Sequence, residues 1–124
     1  MSKVIIIITD PPYGVENAYG FLAAAGALAT IHDTTVIFSE AGVLNSLKDQ
    51  DTSNFIELNK QYLDIPSHES KIKEFKELDI QFFVQKEALD IRGIKDDEII
   101  EDIEKISIDQ ITDKILESDQ VLII

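Results

Sequence analysis

The chain has 124 residues, no cysteine and a net charge of −13 at pH 7. Since 44% of its residues are apolar, we expect one folded domain over residues 1–124, with a core that needs neither disulfide nor metal. The lack of cysteine excludes thiol, persulfide and thiolate–metal chemistry by the chain itself, and the acidity argues against binding to nucleic acid or to an anionic membrane surface.

No targeting segment or membrane-spanning segment is expected. The apolar run Val4–Ile8 is shorter than the core of a signal peptide, and Asp10–Pro12 follows it almost at once. The run Phe21–Ala29 is shorter than the roughly 20 residues that a helix needs to cross a bilayer. A cytoplasmic location is therefore the expectation.

Apolar β-branched runs alternate with helical patterns along the chain. In the first half of the chain the predicted elements are a strand at 3–9, a helix at 16–31, a strand at 34–38, a short helical turn at 43–47 and an irregular excursion with local helix at 49–66. A helix at 67–76, a strand at 79–84 and a short helix at 85–91 follow. The last elements are an amphipathic stretch with a solvated helix face at 96–104, a brief strand at 106–108, a helix at 109–117 and a buried strand at 120–124. This alternation predicts an α/β fold with a mostly parallel sheet.

Local signals fix some helix ends and faces. Gly93 is suited to a left-handed cap after the short helix, and Ser107 with Gln110 forms a capping-box pattern. The residues of the last helix that we expect to face inward are Ile111, Ile115 and Leu116.

Ligands of an open parallel sheet bind beyond the carboxyl ends of the strands. Three predicted loops lie there, at 9–14, 39–43 and 85–86. The candidate ligand-binding residues are Asp10, Pro12, Tyr13, Gly14, Asn17, Ser39, Gly42, Gln85 and Lys86, with Glu40 beside them. The alternative for the first loop is a rigid strand-to-helix turn, in which Asp10 forms an Asx turn and Tyr13 is a packed aromatic.

No catalytic motif is found in the sequence. Phosphate-loop and nucleophile-elbow patterns are missing, and no pair of carboxylates stands out. His32 is expected near a helix C-terminus and His68 at the surface near a helix start, without the spacing of metal ligands. We therefore assign no catalytic residue, metal or cofactor, and an enzyme that uses Asp10, Tyr13 or Lys86 is the least supported alternative.

Several segments, in order over almost the whole chain, carry a resemblance to a known family. They are Thr9–Gly14, the alanine-rich helix around Ala23–Ala27, Val36–Phe38 with Glu40–Val43, Ala88–Ile94 and Ser118–Ile124. Together they resemble the DsrE/DsrF-like family, especially its TusD branch.

The resemblance implies a small three-layer flavodoxin-like fold with about five strands, and assembly into trimers or hexamers. Active members of the family relay sulfur as a persulfide on a cysteine just after the third strand. In this chain that position is Gln85, eight residues before Gly93. Glutamine has no nucleophilic atom that could accept sulfane sulfur, so the departure removes the family's chemistry.

Two functions stay open at this point. One is a non-catalytic family member, an oligomeric scaffold or docking subunit for intracellular sulfur transfer that binds a cysteine-bearing carrier protein. The other is a module that binds a nucleotide or metabolite at the carboxyl ends of the strands, where Gln85 offers both a donor and an acceptor. The many isoleucines favour a homo-oligomer, with biased composition as the alternative.

Overall fold

A five-stranded parallel sheet forms the centre of the computed structural model, which describes residues 2–12, 17–50 and 67–123 apart from the side chains of residues 17–19 and 21. The strands are β1 Lys3–Ile8, β2 Asp33–Phe38, β3 Gln81–Gln85, β4 Glu104–Ile106 and β5 Gln120–Ile123. Their order across the sheet is β4-β3-β2-β1-β5, and every neighbouring pair is parallel.

In the described residues, four α-helices and two 3-10 helices connect the strands. The α-helices are α1 Asn17–Leu28, α2 His68–Lys76, α3 Lys86–Ile91 and α4 Ile108–Glu117, and the 3-10 helices are Glu40–Ser46 and Asp96–Glu98. Within the described residues, none of the helices is long and apolar enough to cross a membrane.

The order of the strands places the helices on two faces. From β1 to β4 each strand lies beside its predecessor, whereas the chain then crosses back through α4 to reach the far side of β1. Buried residues of α1, α2 and α3 share one core with Ile6 and Ile8, and Ile111 of α4 shares the other with Ile5 and Ile7. The first strand is continuously apolar because its alternating side chains enter two separate cores.

The predicted fold class is confirmed, as an α/β fold with five parallel strands and helices on both faces. Both local signals are confirmed as well. Gly93 has a φ of 67°, and Ser107 and Gln110 form the capping box at the start of α4.

Some predicted boundaries are wrong. The first helix ends at Leu28 rather than near Ile31. Just after this end, the hydroxyl of Thr30 donates to the carbonyl of Ala27, a local bond that competes with continuation of the helix. The third strand begins at Gln81, because Asp79 has a φ of 63° and cannot be part of a strand. The strand also extends one residue further than predicted, so that Gln85 is its last residue rather than the first residue after it.

The stretch 96–104 is not a regular helix. It has a 3-10 turn at Asp96–Glu98, after which Ile99 pairs with Leu47 in an isolated bridge and Asp102 turns with a φ of 70°. The predicted apolar side is nevertheless buried. The brief strand is β4, two residues earlier than expected, because Ile108 already belongs to α4. Most of the predicted excursion at 49–66, from residue 51 onward, lies outside the described residues.

The last helix and the last strand are more exposed than predicted. Ile111 is buried and Ile115 half-buried, but Leu116 lies one residue off their stripe and is 77% exposed. The strand β5 is not buried, since it lies at the edge of the sheet and, within the described ranges, pairs with β1 alone; its residue Ile123 is 65% exposed.

Candidate functional site at the carboxyl ends of the strands

The carboxyl ends of three neighbouring strands, β1, β2 and β3, meet at one edge of the sheet. The N–H of Ser39, directly after β2, donates to the carbonyl of Ile8 at the end of β1, 3.0 Å away. The hydroxyl of Ser39 donates to Oε1 of Gln85, the last residue of β3, at 2.7 Å. Two of the three predicted loops are thus joined through Ser39 to the end of β1.

The amide of Gln85 is buried and held in one orientation. Gln85 is only 6% exposed, and Ser39 is only 8% exposed. Gln85 Oε1 also faces the N–H of Glu40 at 3.3 Å. Because a backbone N–H can only donate, the amide atom facing Glu40 must be the oxygen. Glu40 itself has a φ of 53°, a left-handed conformation that is costly for a residue with a side chain and is often found at functional sites.

Substitution of Ser39 by alanine is expected to weaken this arrangement. It leaves Gln85 Oε1 with only the longer bond from Glu40, so we expect a loss of about 1–2 kcal/mol in the free energy of unfolding, measured by urea denaturation. Alanine in place of Ser70, a residue with an exposed side chain on α2, is the control and should cost less. Equal losses at the two positions would contradict the role of the Ser39 hydroxyl.

Gly42 allows the 3-10 helix after β2 to lie directly on the end of β1. Its N–H donates to the carbonyl of Ser39 at 2.8 Å. A Cβ atom on this residue would lie only 1.9 Å from the carbonyl oxygen of Ile8. Glycine is therefore required at this position by close approach of two backbone segments.

A second polar pair, Asn45 and His68, lies beneath the same loops. Asn45 Nδ2 donates to the carbonyls of Asp10 and Gly42, at 3.0 and 2.9 Å. Its Oδ1 is then the acceptor that faces His68 Nδ1 at 2.5 Å, so the proton of the neutral imidazole must lie on Nδ1. Burial lowers the pKa of His68 to about 4. The pair ties the start of α2 to the loop after β1.

The sequence prediction for His68 was half right. It does start a helix, with Ser67 as its N-cap, but it is 2% exposed rather than at the surface. His68, Ile72 and Phe75 share the buried side of α2, and that i, i+4, i+7 spacing was the available signal. Asn45 had no such signal, because its role depends on contacts far away in the chain. His32 lies just past the end of α1, as expected.

The other predicted site residues are placed as follows. Asp10 and Pro12 are half-buried in the loop after β1, and Lys86 is the exposed first residue of α3. Tyr13 and Gly14 lie outside the described residues, and so does the side chain of Asn17, the first residue of α1. In the described part of the chain, the site offers hydrogen-bonding groups and the charges of Asp10, Glu40 and Lys86, and no thiol.

Comparisons with known proteins agree with one another on the fold. The model of the DsrE/DsrF-like family matches residues 2–123. The protein called TusC homolog from Aliivibrio fischeri is 27% identical over 124 residues, covering 99% of each chain, and the TusC homolog from Vibrio parahaemolyticus is 30% identical, covering 98% of each. These names agree with the family, but they do not decide between its TusC and TusD branches.

Two solved structures have the same fold at low sequence identity. The ychN protein from E. coli superposes with a TM-score of 0.85 at 20% identity, over 100% of both chains. A protein of unknown function, MTH1491 from Methanobacterium thermoautotrophicum, has a TM-score of 0.76 at 13% identity, also over 100% of both chains. At such identities the likeness concerns the fold alone.

Proposed function

Because the chain belongs to the DsrE/DsrF-like family, we propose that it is a non-catalytic subunit of an intracellular sulfur-relay assembly, which oligomerises and docks a cysteine-bearing carrier protein. The observation that carries the proposal is Gln85, buried and held by two hydrogen bonds at the position where the family resemblance places a reactive cysteine. The chain has no cysteine elsewhere that could take over the role.

The association with sulfur relay is supported by the family to which the chain belongs and by the two relatives named TusC homolog. The exposed apolar residues support the assembly of several subunits, which we propose to be a trimer or hexamer located in the cytoplasm. Those residues are Ile31, Leu78, Ile91 and Ile108.

To test the docking role, the tagged chain is purified from its native host at its native expression level, and the proteins that are purified with it are quantified by mass spectrometry. A cysteine-bearing sulfur carrier is expected in fixed ratio to the chain, and its loss is expected when Gln85 is replaced by the bulky cation arginine. Light scattering on the purified chain reports the number of subunits. Repeated recovery without any such carrier, or a monomer at high concentration, contradicts the proposal.

Replacing Gln85 with cysteine is expected to restore sulfur acceptance. The new thiolate would attack the outer sulfur of a donor persulfide, form a protein persulfide and release the donor as its thiolate. The freed donors, the Ser39 hydroxyl and the Glu40 N–H, lie on the side where the negative charge would develop. The measurement is the gain in mass of one sulfur atom after incubation with glutathione persulfide.

The matched control is cysteine in place of Ile91, which is 82% exposed at the end of α3. If sulfur acceptance depends on the retained geometry of the site, the cysteine at position 85 should hold the added sulfur longer than the exposed one. Equal lifetimes would mean that the site keeps nothing of the family's sulfur chemistry.

A second candidate function is the binding of a nucleotide or metabolite at the same edge of the sheet. The meeting of Ser39, Glu40 and Gln85 favours it, because these residues offer fixed polar groups where ligands of parallel sheets bind. A ligand at 100 times its dissociation constant would stabilise the protein by about 2.7 kcal/mol, which a thermal-shift screen detects. No shift across a broad metabolite collection would exclude this candidate.

A further inference from the structure

The two edges of the sheet differ in how they are protected against pairing with another strand. At one edge, β4 has only three residues, two of them charged, and Lys105 forms an ion pair with Asp96 at 2.5 Å. Short length and charge are common devices that keep an edge from pairing. At the other edge, β5 has four residues, Gln120–Ile123, and none of them is charged. The described part of β5 therefore lacks the charged residues that protect β4.

The side chains around β5 add exposed apolar surface on both faces of the sheet. Leu122 pairs in register with Ile6 and is 41% exposed, while Ile123 pairs with Ile7 and is 65% exposed. Leu116, 77% exposed, lies in the last turn of α4, which leads directly into β5. In the part of the chain that the structure describes, no strand pairs with the outer edge of β5, and an edge with apolar side chains on both faces is suited to receive an additional strand.

The charge beside this edge is negative. The segment 108–119, which is α4 and the two residues before β5, contains four carboxylates and one lysine. Glu117 and Asp119, next to β5, are exposed. The nearby Lys114 has its Nζ over the ring of Phe83, 4.2 Å from the ring centre, so that its charge is directed toward the sheet rather than toward a partner.

We propose that β5 is a docking edge, to which a partner protein adds an extended segment that is apolar and rich in lysine or arginine. The acidic surroundings favour a cationic partner over a second copy of this chain at this edge, because two copies paired through β5 would bring Glu117 and Asp119 of both chains together. The proposal needs no sulfur chemistry and is separate from the role of Gln85.

The probe is a short synthetic peptide of alternating valine and lysine, added to the chain of residues 1–124. Binding is expected to slow the hydrogen exchange of amides in residues 120–123 and to weaken as salt rises. The same peptide with an N-methyl group on every residue keeps its charge but has no backbone N–H on either edge to donate to β5, so its affinity should be lower by about tenfold or more. Equal affinity of the two peptides, or no protection of these amides, would overturn the proposal.

Two lysine substitutions at exposed isoleucines make a matched pair. Ile123→Lys places a cation on the docking edge and should lower the affinity for the peptide by about tenfold. Ile91→Lys, on α3, should leave that affinity unchanged. Analytical ultracentrifugation of the chain alone tests whether a second copy of the chain binds to this edge. If the free chain self-associates, and Ile123→Lys alone abolishes that association, then the edge belongs to a copy of this chain and the proposal is wrong.

Discussion

Replacement of Gly42 by alanine is expected to destabilise the protein by about 3 kcal/mol or more. The added Cβ would lie 1.9 Å from the carbonyl oxygen and 2.7 Å from the carbonyl carbon of Ile8. Both atoms belong to the backbone of a central strand, so no flexible side chain can move aside. Relief requires the 3-10 helix after β2 to shift, which would also displace Ser39 and Asn45 from their hydrogen bonds.

The measurement is urea denaturation, followed by circular dichroism, and the matched control is Gly20→Ala in α1. Among the described atoms, none lies within 4 Å of a Cβ placed on Gly20. Since glycine inside a helix is less favourable than alanine, Gly20→Ala should stabilise the protein by about 0.5–1 kcal/mol. Opposite signs at the two glycines are the expected result. A loss below about 1 kcal/mol at Gly42 would show that the 3-10 helix adapts easily.

Acidification from pH 7 to pH 4 is expected to remove about 3 kcal/mol of stability through His68 alone. Its pKa is about 4 in the folded chain, against an ordinary value of 6.5. The unfolded chain therefore binds the proton first as the pH falls. The contribution of His68 is fully present above pH 6.5, declines between 6.5 and about 4, and changes little below that. Carboxylates add their own acid sensitivity, so the comparison must be with a variant.

That variant is His68→Gln, which cannot titrate and still offers a side-chain N–H to Asn45 Oδ1. Its free energy of unfolding should be lower than that of the parent at pH 7, with a difference that shrinks or reverses by pH 4. Ser70→Gln, two residues along α2 at an exposed position, should follow the parent curve throughout. Parallel curves for the parent and His68→Gln would mean that the imidazole does not gain a proton upon unfolding.

Local sequence patterns predicted the elements of the fold well, because they record burial directly. The run Val4–Ile8 is apolar at every position since both faces of β1 are covered, and Ser107 with Gln110 forms a cap within four residues. The exposure of β5 could not be predicted in the same way. Its sequence is as apolar as that of a central strand, and only the order of strands in the sheet places it at an edge.

The candidate site was predicted in part. The meeting of Ser39 with Gln85 follows from the rule for carboxyl ends of neighbouring parallel strands, once β2 and β3 are recognised. The pair of Asn45 and His68 was missed, since it joins two loops that have no relation in sequence. A polar residue beside apolar neighbours reveals its partner only when the tertiary structure is known.

The return of the chain to β1 has a consequence for its synthesis on the ribosome. The main chains of Lys3 and Asp119 are joined by a hydrogen bond of 2.8 Å, and the carboxylate of Asp119 accepts another from Lys3 N–H at 2.7 Å, across 116 residues of sequence. Until residues 119–123 emerge, the edge of β1 that pairs with β5 therefore has no strand partner among the described residues. Such late closure favours slow folding and gives a chaperone a defined, isoleucine-rich segment to protect during translation.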